Sequence, residues 1–246
     1  MTHLEVPAQF QRNSPRVLAL GVEHTGALLL ERGNALLGWP DLSGRDVLDI
    51  GCGSRFTQTI INRGLAVGSY TGIDVDGPLI GYLSSHVGDS RFAFHRWDVH
   101  NVMYNPGGAP LTSSTRLPIA DGRTFDLTWM YSVVTHTYPH DAASLFRICR
   151  RHVKPGGALV FSAFIDNGIE SFDDRVKDQP LLMAFYNEAF LAQIVADAGW
   201  RIDVRFNGWS EVVMQDLFVC RPVPSANRSW KVGEGGRDAR LPSPGG

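Results

Sequence analysis

The chain has 246 residues, 43% of them hydrophobic and 20% charged, and a formal net charge of −2. This near-neutral balance provides no basic face for nucleic acid, and no apolar run approaches the roughly 18–20 residues that cross a bilayer. Residues 1–5 lack the basic and then apolar order of a signal peptide. We therefore expect a cytoplasmic protein with no nucleic-acid or membrane partner. Its three cysteines, Cys52, Cys149 and Cys220, form no CxxC pair, which predicts reduced core thiols.

Strand-like and helix-like patterns alternate after residue 45. Strands are predicted at 46–50, 70–73, 92–97, 125–130, 159–165, 201–206 and 217–220, and helices at 56–62, 78–86, 142–153 and 187–198. Such alternation implies crossover connections and a mostly parallel sheet. The last two strands lie too close in sequence for a helical crossover, which predicts an antiparallel hairpin. The expected fold is α/β: a Rossmann-like three-layer sandwich with a mostly parallel seven-stranded sheet and one antiparallel strand near the C-terminal edge.

The chain divides into three predicted regions. Residues 1–44 include a helical pattern at 22–37, which we expect to lie over the carboxyl edge of the sheet as a lid. Residues 45–221 form the predicted ligand-binding domain, in which Asp141 and Asn187 are expected to cap the helices that follow them. Residues 222–246 are rich in Pro, Gly, Ser and charge, and we expect a disordered tail.

The segment most informative about function is 47–53, Val-Leu-Asp-Ile-Gly-Cys-Gly, where a buried strand turns into a helix. Gly51 and Gly53 favour a tight turn and allow a ligand to approach the backbone closely. Ligands of open α/β sheets bind at the carboxyl ends of the strands. The turn therefore predicts a ligand site at this edge.

Acidic residues close three successive predicted strands: Asp49, Asp74 and Asp98, at intervals of 25 and 24 residues. Because the ends of parallel strands meet at one edge, we expect these acids to face one crevice. An acid that ends the second strand can accept hydrogen bonds from both hydroxyls of a ribose. Helix capping and turn formation are the alternative roles of single acids at strand ends.

Five segments together resemble the motifs of class I S-adenosylmethionine-dependent methyltransferases: 47–53, Gly72-Ile73-Asp74, Trp97-Asp98-Val99, Phe125-Asp126-Leu127 and 153–158. The resemblance covers about residues 40–221. The segment Tyr131-Ser132-Val133-Val134-Thr135-His136 resembles a narrower branch, the small-molecule O-methyltransferases, and residues 104–108 and Gln215-Asp216 are also similar to it.

The resemblance implies S-adenosylmethionine as the methyl donor and assigns roles by position. The backbone of Gly51, Cys52 and Gly53 would lie against the donor, and Asp49 would accept from its ammonium group directly or through water. The ribose would be held by Asp74 next to Val75, the adenine by Asp98 and Val99, and the pocket near the sulfonium would be lined by Tyr131.

Arg55 departs from the family pattern because it stands where the third glycine of Gly-x-Gly-x-Gly is usual. Either the loop is one residue shorter or Arg55 points away from the pocket, since a cation aimed at the sulfonium would weaken binding by repulsion. The alternative interpretation is a methyltransferase-like binding or scaffold protein with a degenerate donor site. A nicotinamide dehydrogenase is disfavoured, because dinucleotide folds need the third glycine.

The acceptor side is less strongly indicated. A hydroxyl acceptor needs a base with a pKa near neutral, and His136, just after the fourth predicted strand, is our first candidate. A structural histidine that binds loop backbone is the alternative. The other candidate bases are His140, Tyr138, Asp141 and, more distantly, Glu211. No spacing of ligands predicts a metal site. We expect a small-molecule acceptor, and the sequence carries no signal for an oligomeric state.

Overall fold

A computed structural model describes residues 3–207 and 215–224 of the chain. The helices are α1 (Pro15–Leu20), α2 (Val22–Leu37), α3 (Arg55–Asn62), α4 (Gly77–His86), α5 (Pro139–Arg151) and α6 (Glu188–Asp197). The strands are β1 (Leu42–Ile50), β2 (Val67–Asp74), β3 (Phe92–Arg96), β4 (Phe125–Met130), β5 (Val153–Ile165), β6 (Phe172–Asp174), β7 (Ala184–Tyr186), β8 (Trp200–Phe206) and β9 (Asp216–Pro222).

The sheet has the predicted architecture. Strands β3, β2, β1, β4 and β5 are neighbours in that order and pair in parallel. Strand β9 then pairs antiparallel with both β5 and β8, so the antiparallel hairpin at this edge is confirmed. Helices cover both faces of these seven strands, as the Rossmann-like prediction requires.

Two short strands were not predicted. Strands β6 and β7 form an antiparallel pair. Strand β7 also pairs in parallel with the end of β5, where Phe164 lies opposite Phe185 and Ile165 lies opposite Tyr186. Each of the two strands has only three residues, which is too few to show a period of two in the sequence. The pair extends the sheet beyond the carboxyl end of β5.

Helix starts follow local chemistry. Asp76 caps α4 by accepting from the Leu79 amide, and Asn187 caps α6 as predicted. The cap predicted for Asp141 was wrong. Helix α5 already begins at Pro139, whose fixed φ suits the first helical position, so Asp141 lies within the first turn.

The predicted lid position of α2 was also wrong. This helix packs beside α3 on one face of the sheet, with its buried leucines in the core there. Close contact is possible because two of its residues are glycines: a Cβ on Gly26 would lie 2.1 Å from Thr59 Oγ1, and one on Gly33 would lie 2.5 Å from the Trp129 ring. Its apolar side thus serves packing rather than closure. Across the described ranges, no helix combines the length and apolarity needed to span a membrane.

Candidate active site

A cavity of about 560 Å³ opens at the carboxyl ends of β1, β2, β4 and β5. Its walls include Gly51 and Gly53 after β1, Asp74 at the end of β2, Tyr131 after β4 and Phe164 near the end of β5. The volume lies within the ~300–1,000 Å³ typical of small-ligand sites. The turn predicted to bind a ligand therefore does line a pocket.

The Gly-x-Gly turn has the backbone geometry that only glycine adopts readily. Gly51 has φ of 69° and Gly53 has φ of 50°. The Gly51 and Cys52 amides both donate to the Ile73 carbonyl, at 2.8 and 3.1 Å, which fixes the turn to β2. A Cβ at Gly51 would lie 2.6 Å from Val133 Cγ2, whereas one at Gly53 would meet no atom within 4 Å. Gly53 thus leaves backbone open to a ligand.

Asp74 lies on the cavity wall and is nearly buried, with 8% of its surface exposed. Its Oδ2 accepts from the Gly53 amide and its Oδ1 from the Asp76 amide, both at 3.0 Å. Burial raises its pKa, and these two backbone donors oppose the rise. The carboxylate is therefore rigidly placed beside the glycine turn. Its neighbour Val75 also lines the cavity.

The other two acids do not line the cavity. Asp49 is fully buried behind the turn, where it accepts from the Tyr70 hydroxyl at 2.5 Å, and burial raises its pKa to about 8. Asp98 is exposed, and its Oδ1 accepts from Arg96 and Asn105 at 3.0 and 2.9 Å. The sequence placed all three acids in one crevice; the structure brings only Asp74 there. Cys52 and Val99 do line the cavity.

Arg55 does not point away from the pocket, contrary to one of the two expectations for it. It begins α3 and lines the cavity, where its Nε and Nη2 donate to Asn13 Oδ1 at 2.9 and 2.7 Å. Its guanidinium carbon lies 5.6 Å from the centre of the Tyr131 ring. Burial lowers the pKa of Arg55 and raises that of Tyr131. Neither Arg55 Nη1 nor Tyr131 Oη has a hydrogen-bond partner among the described residues.

His136 lines the opposite part of the cavity. Its Nδ1 lies 2.8 Å from the Leu181 carbonyl oxygen. Because a carbonyl only accepts, the proton of the neutral ring must be on Nδ1, and Nε2 carries the lone pair. Burial lowers the pKa of His136 and so favours this neutral form. Nε2 has no hydrogen-bond partner within residues 3–207 and 215–224. The side chain therefore binds loop backbone and still keeps a basic nitrogen.

The other candidate bases are arranged differently. Asp141 lines the cavity, and burial raises its pKa. His140 is exposed, with Nε2 3.5 Å from Asp141 Oδ1, and its ring stacks on Tyr138 with centroids 5.8 Å apart. Glu211 lies outside the described residues. In the part of the chain that the structure describes, no group of three or more acidic, histidine or cysteine residues is placed to hold a metal ion.

Sequence reasoning missed two parts of the site. Ahead of α2, the cavity is lined by Arg12, Asn13, Ser14 and Val17. Beside Tyr131, three side chains form a network: Ser162 Oγ donates to Gln215 Oε1 and Gln215 Nε2 donates to Ser132 Oγ, both at 2.6 Å. Only the similarity of Gln215-Asp216 to the O-methyltransferase branch pointed to this network. Residues 12–17 have no motif that could have been recognised.

The residues present suit S-adenosylmethionine. The open backbone at Gly53 offers a close approach, Asp74 offers carboxylate oxygens beside it, and Trp97, Val99 and Leu111 provide an apolar wall. These groups match the ribose and the adenine of the donor in chemical character.

Comparison with known proteins agrees with this chemistry. Residues 48–161 match a protein-family model described as a methyltransferase domain. A structure of the glycopeptide N-methyltransferase MtfA with S-adenosylhomocysteine is similar over 80% of this chain and 90% of that chain, at 12% identity and a TM-score of 0.58. A DhpI–SAH complex is similar over 85% of this chain and 88% of that chain, at 22% identity and a TM-score of 0.54.

A third similar structure is a 1,6-didemethyltoxoflavin-N1-methyltransferase from Burkholderia thailandensis with bound 1,6-didemethyltoxoflavin and S-adenosylhomocysteine. The similarity covers 82% of this chain and 79% of that chain, at 18% identity and a TM-score of 0.57. At such identities the three structures show a shared fold. The fold they share is the Rossmann-like methyltransferase fold, and the methyltransferase-domain match over residues 48–161, which is somewhat under half of the chain, indicates an enzyme that uses S-adenosylmethionine.

Proposed function

We propose that the enzyme transfers the methyl group of S-adenosylmethionine to a hydroxyl oxygen of a small molecule, with His136 as general base. The observation that carries this proposal is the tautomer of His136, whose Nδ1–H donates to the Leu181 carbonyl while Nε2 remains an acceptor. A hydroxyl nucleophile must lose its proton during methyl transfer, so a basic nitrogen on the cavity wall is the group that this reaction requires.

The donor side rests on Asp74 and the glycine turn. Bound S-adenosylmethionine supplies an electrophilic methyl group on a sulfonium sulfur. Asp74 would accept from the ribose hydroxyls, because its carboxylate is already oriented by the Gly53 and Asp76 amides. Trp97 and Val99 would pack against the adenine, and Tyr131 would line the pocket near the sulfonium. Asp49 would act by positioning the turn, because it does not reach the cavity.

The acceptor side would orient a hydroxyl toward His136. Tyr104 packs edge-on against the His136 ring, with centroids 6.1 Å apart, and Phe164, Leu182 and Met183 supply apolar wall. The oxygen–methyl bond would form as the sulfur–methyl bond of the donor breaks, with S-adenosylhomocysteine as the leaving group, and the hydroxyl proton would pass to His136 Nε2. The Nδ1–H bond to Leu181 is retained and stabilises the resulting imidazolium. Holding the reactants together in a site shielded from water supplies most of the catalysis expected for such a displacement.

Calorimetric titration with S-adenosylmethionine and S-adenosylhomocysteine is the first test. Micromolar binding of both is expected, and a screen of hydroxyl compounds with a labelled methyl donor would then identify acceptors. A folded protein that binds neither would favour the scaffold interpretation based on Arg55. Methyl-labelled products that carry the label on nitrogen would contradict the assignment of oxygen.

A further inference from the structure

Arg55 is a half-buried cation on the cavity wall and has no acidic partner among the described residues. Within the described chain, no carboxylate lies within 4.0 Å of its guanidinium nitrogens, and its Nε and Nη2 both donate to the neutral amide oxygen of Asn13. Its Nη1 is buried and has no hydrogen-bond partner there. Removing a guanidinium from water in this way is costly unless something compensates the charge.

A second arginine on the same wall shows the contrast. Arg12 also lines the cavity, but it forms an ion pair with Asp76 and lies over the Tyr104 ring, 4.4 Å from its centre. Arg55 has the ring contact with Tyr131 but pairs with no acid in the part of the chain that the structure describes. Among residues 3–207 and 215–224, no side chain around Arg55 supplies the compensating negative charge, and this points to a ligand.

We propose that Arg55, oriented by Asn13, binds the carboxylate of the methionine moiety of S-adenosylmethionine. This inference rests on the proposed function. The donor carries a sulfonium, an ammonium and one anionic group, its carboxylate, and Arg55 directly follows the turn that faces the donor. The free Nη1 and the second proton of Nη2 form a fork that suits a carboxylate. Arg55 then replaces the usual third glycine with a charge-specific contact.

The inference is tested by removing the carboxylate from the ligand and the charge from the protein separately. The ligands are S-adenosylhomocysteine and 5′-(3-aminopropylthio)-5′-deoxyadenosine, which lacks only the carboxylate. The proteins are the wild type, Arg55→Met and, as a matched control, Arg63→Met. Arg63 follows the same helix and is exposed, and the same substitution there leaves the cavity unchanged.

We expect the wild type and Arg63→Met to bind S-adenosylhomocysteine about 10- to 100-fold more tightly than the analogue, the range for a charged hydrogen-bonded contact. Arg55→Met should lose most of this preference through weaker binding of S-adenosylhomocysteine, with the affinity for the analogue little changed. Equal weakening of both ligands would make Arg55 a structural residue and overturn the inference. Binding of neither ligand by the folded wild type would instead contradict the proposed function.

Asn13→Asp keeps the inference testable if Arg55→Met does not fold. The new carboxylate would pair with Arg55 from the position that Asn13 Oδ1 already occupies. It should then compete with the ligand carboxylate, so that S-adenosylhomocysteine binds about tenfold more weakly while the analogue binds as before. An unchanged ratio of the two affinities in Asn13→Asp would overturn the inference, because Arg55 would then make no contact with the ligand carboxylate.

Discussion

The two halves of the cavity are built in different ways. The half proposed to bind the donor, called the donor half here, consists of residues at or just after strand ends, such as Gly51 and Gly53 after β1 and Asp74 at the end of β2. The half proposed to bind the acceptor, called the acceptor half here, is assembled from separate connections: His136 follows β4, whereas Leu181 belongs to the link between β6 and β7. Parallel pairing alone aligns the donor residues. The acceptor residues need contacts between distant loops.

One hairpin shows how the acceptor half is held. The Leu181 amide donates to both carboxylate oxygens of Asp174, each at 3.0 Å, and the Leu181 carbonyl accepts from His136 Nδ1. The Tyr186 hydroxyl donates to the Thr137 carbonyl at 2.8 Å. The short strands β6 and β7 thus position the proposed base. Damage to the acceptor half should therefore affect turnover, and damage to the donor half should affect donor binding.

The largest expected effect is at His136. His136→Asn should lower kcat by about 10²- to 10⁴-fold, the usual contribution of a general base, with the Kd for S-adenosylhomocysteine nearly unchanged. In the wild type, activity should fall as the pH drops through the His136 pKa, which burial holds below its ordinary value of 6.5, because the protonated ring cannot accept a proton. Steady-state rates from pH 5 to 8 measure kcat and its pH dependence, and calorimetry measures the Kd for S-adenosylhomocysteine. A variant that keeps full kcat would remove His136 from catalysis.

At Asp74 we expect the opposite pattern. Asp74→Asn should weaken S-adenosylhomocysteine binding by about 10- to 100-fold, because charged hydrogen bonds to the ribose are lost. Asp98→Asn is the matched control: Asp98 is exposed and outside the cavity, and its substitution should change the Kd by less than a few-fold. Comparable losses in the two variants would show that the adenine contact first expected of Asp98 is made after all.

A smaller effect on turnover is expected at Asp174, which acts as a positioning residue. Asp174→Ala removes the acceptor of the Leu181 amide. The Leu181 carbonyl, which holds His136 Nδ1, should then shift, and we expect kcat to fall by about tenfold. The Kd for S-adenosylhomocysteine should remain as in the wild type. Asp173→Ala, on the same strand but paired with exposed Lys177, is the control. A loss of donor binding in Asp174→Ala would break the division between the two halves.

The last expected change leaves binding and turnover aside and concerns stability beneath the proposed donor half. The pKa of Asp49 is about 8 in the folded protein and 3.8 as its ordinary value, so the folded state holds a proton that the unfolded state releases between these values. Stability from this group is full below about pH 4 and is lost as pH rises toward 8. Asp49→Asn should lose less stability than the wild type between pH 5 and 8. Urea unfolding at both pH values measures this, and equal losses would contradict it.

Much of the fold was readable in the sequence for a physical reason. Parallel strands that end in four or more buried residues, such as those ending at Ile50 and Asp74, can be recognised because apolar residues recur near their ends. The glycine turn and Asp74 could be placed at one edge because the sheet topology follows from alternation of strands and helices. The three-residue strands and the position of α2 could not be predicted from the sequence, because both depend on the segments against which they pack.

The sequence alone determined the α/β fold, the turn at Gly51 and Gly53 and the resemblance to S-adenosylmethionine-dependent methyltransferases. Only the tertiary structure decided which acids face the cavity: Asp49 and Asp98 end strands as Asp74 does, but one is buried behind the turn and the other is exposed. It also decided that Arg55 lies on the cavity wall and that Leu181 fixes His136. Strand-end position is set by local pattern and pairing, whereas the direction and partner of a side chain are set by packing between distant segments.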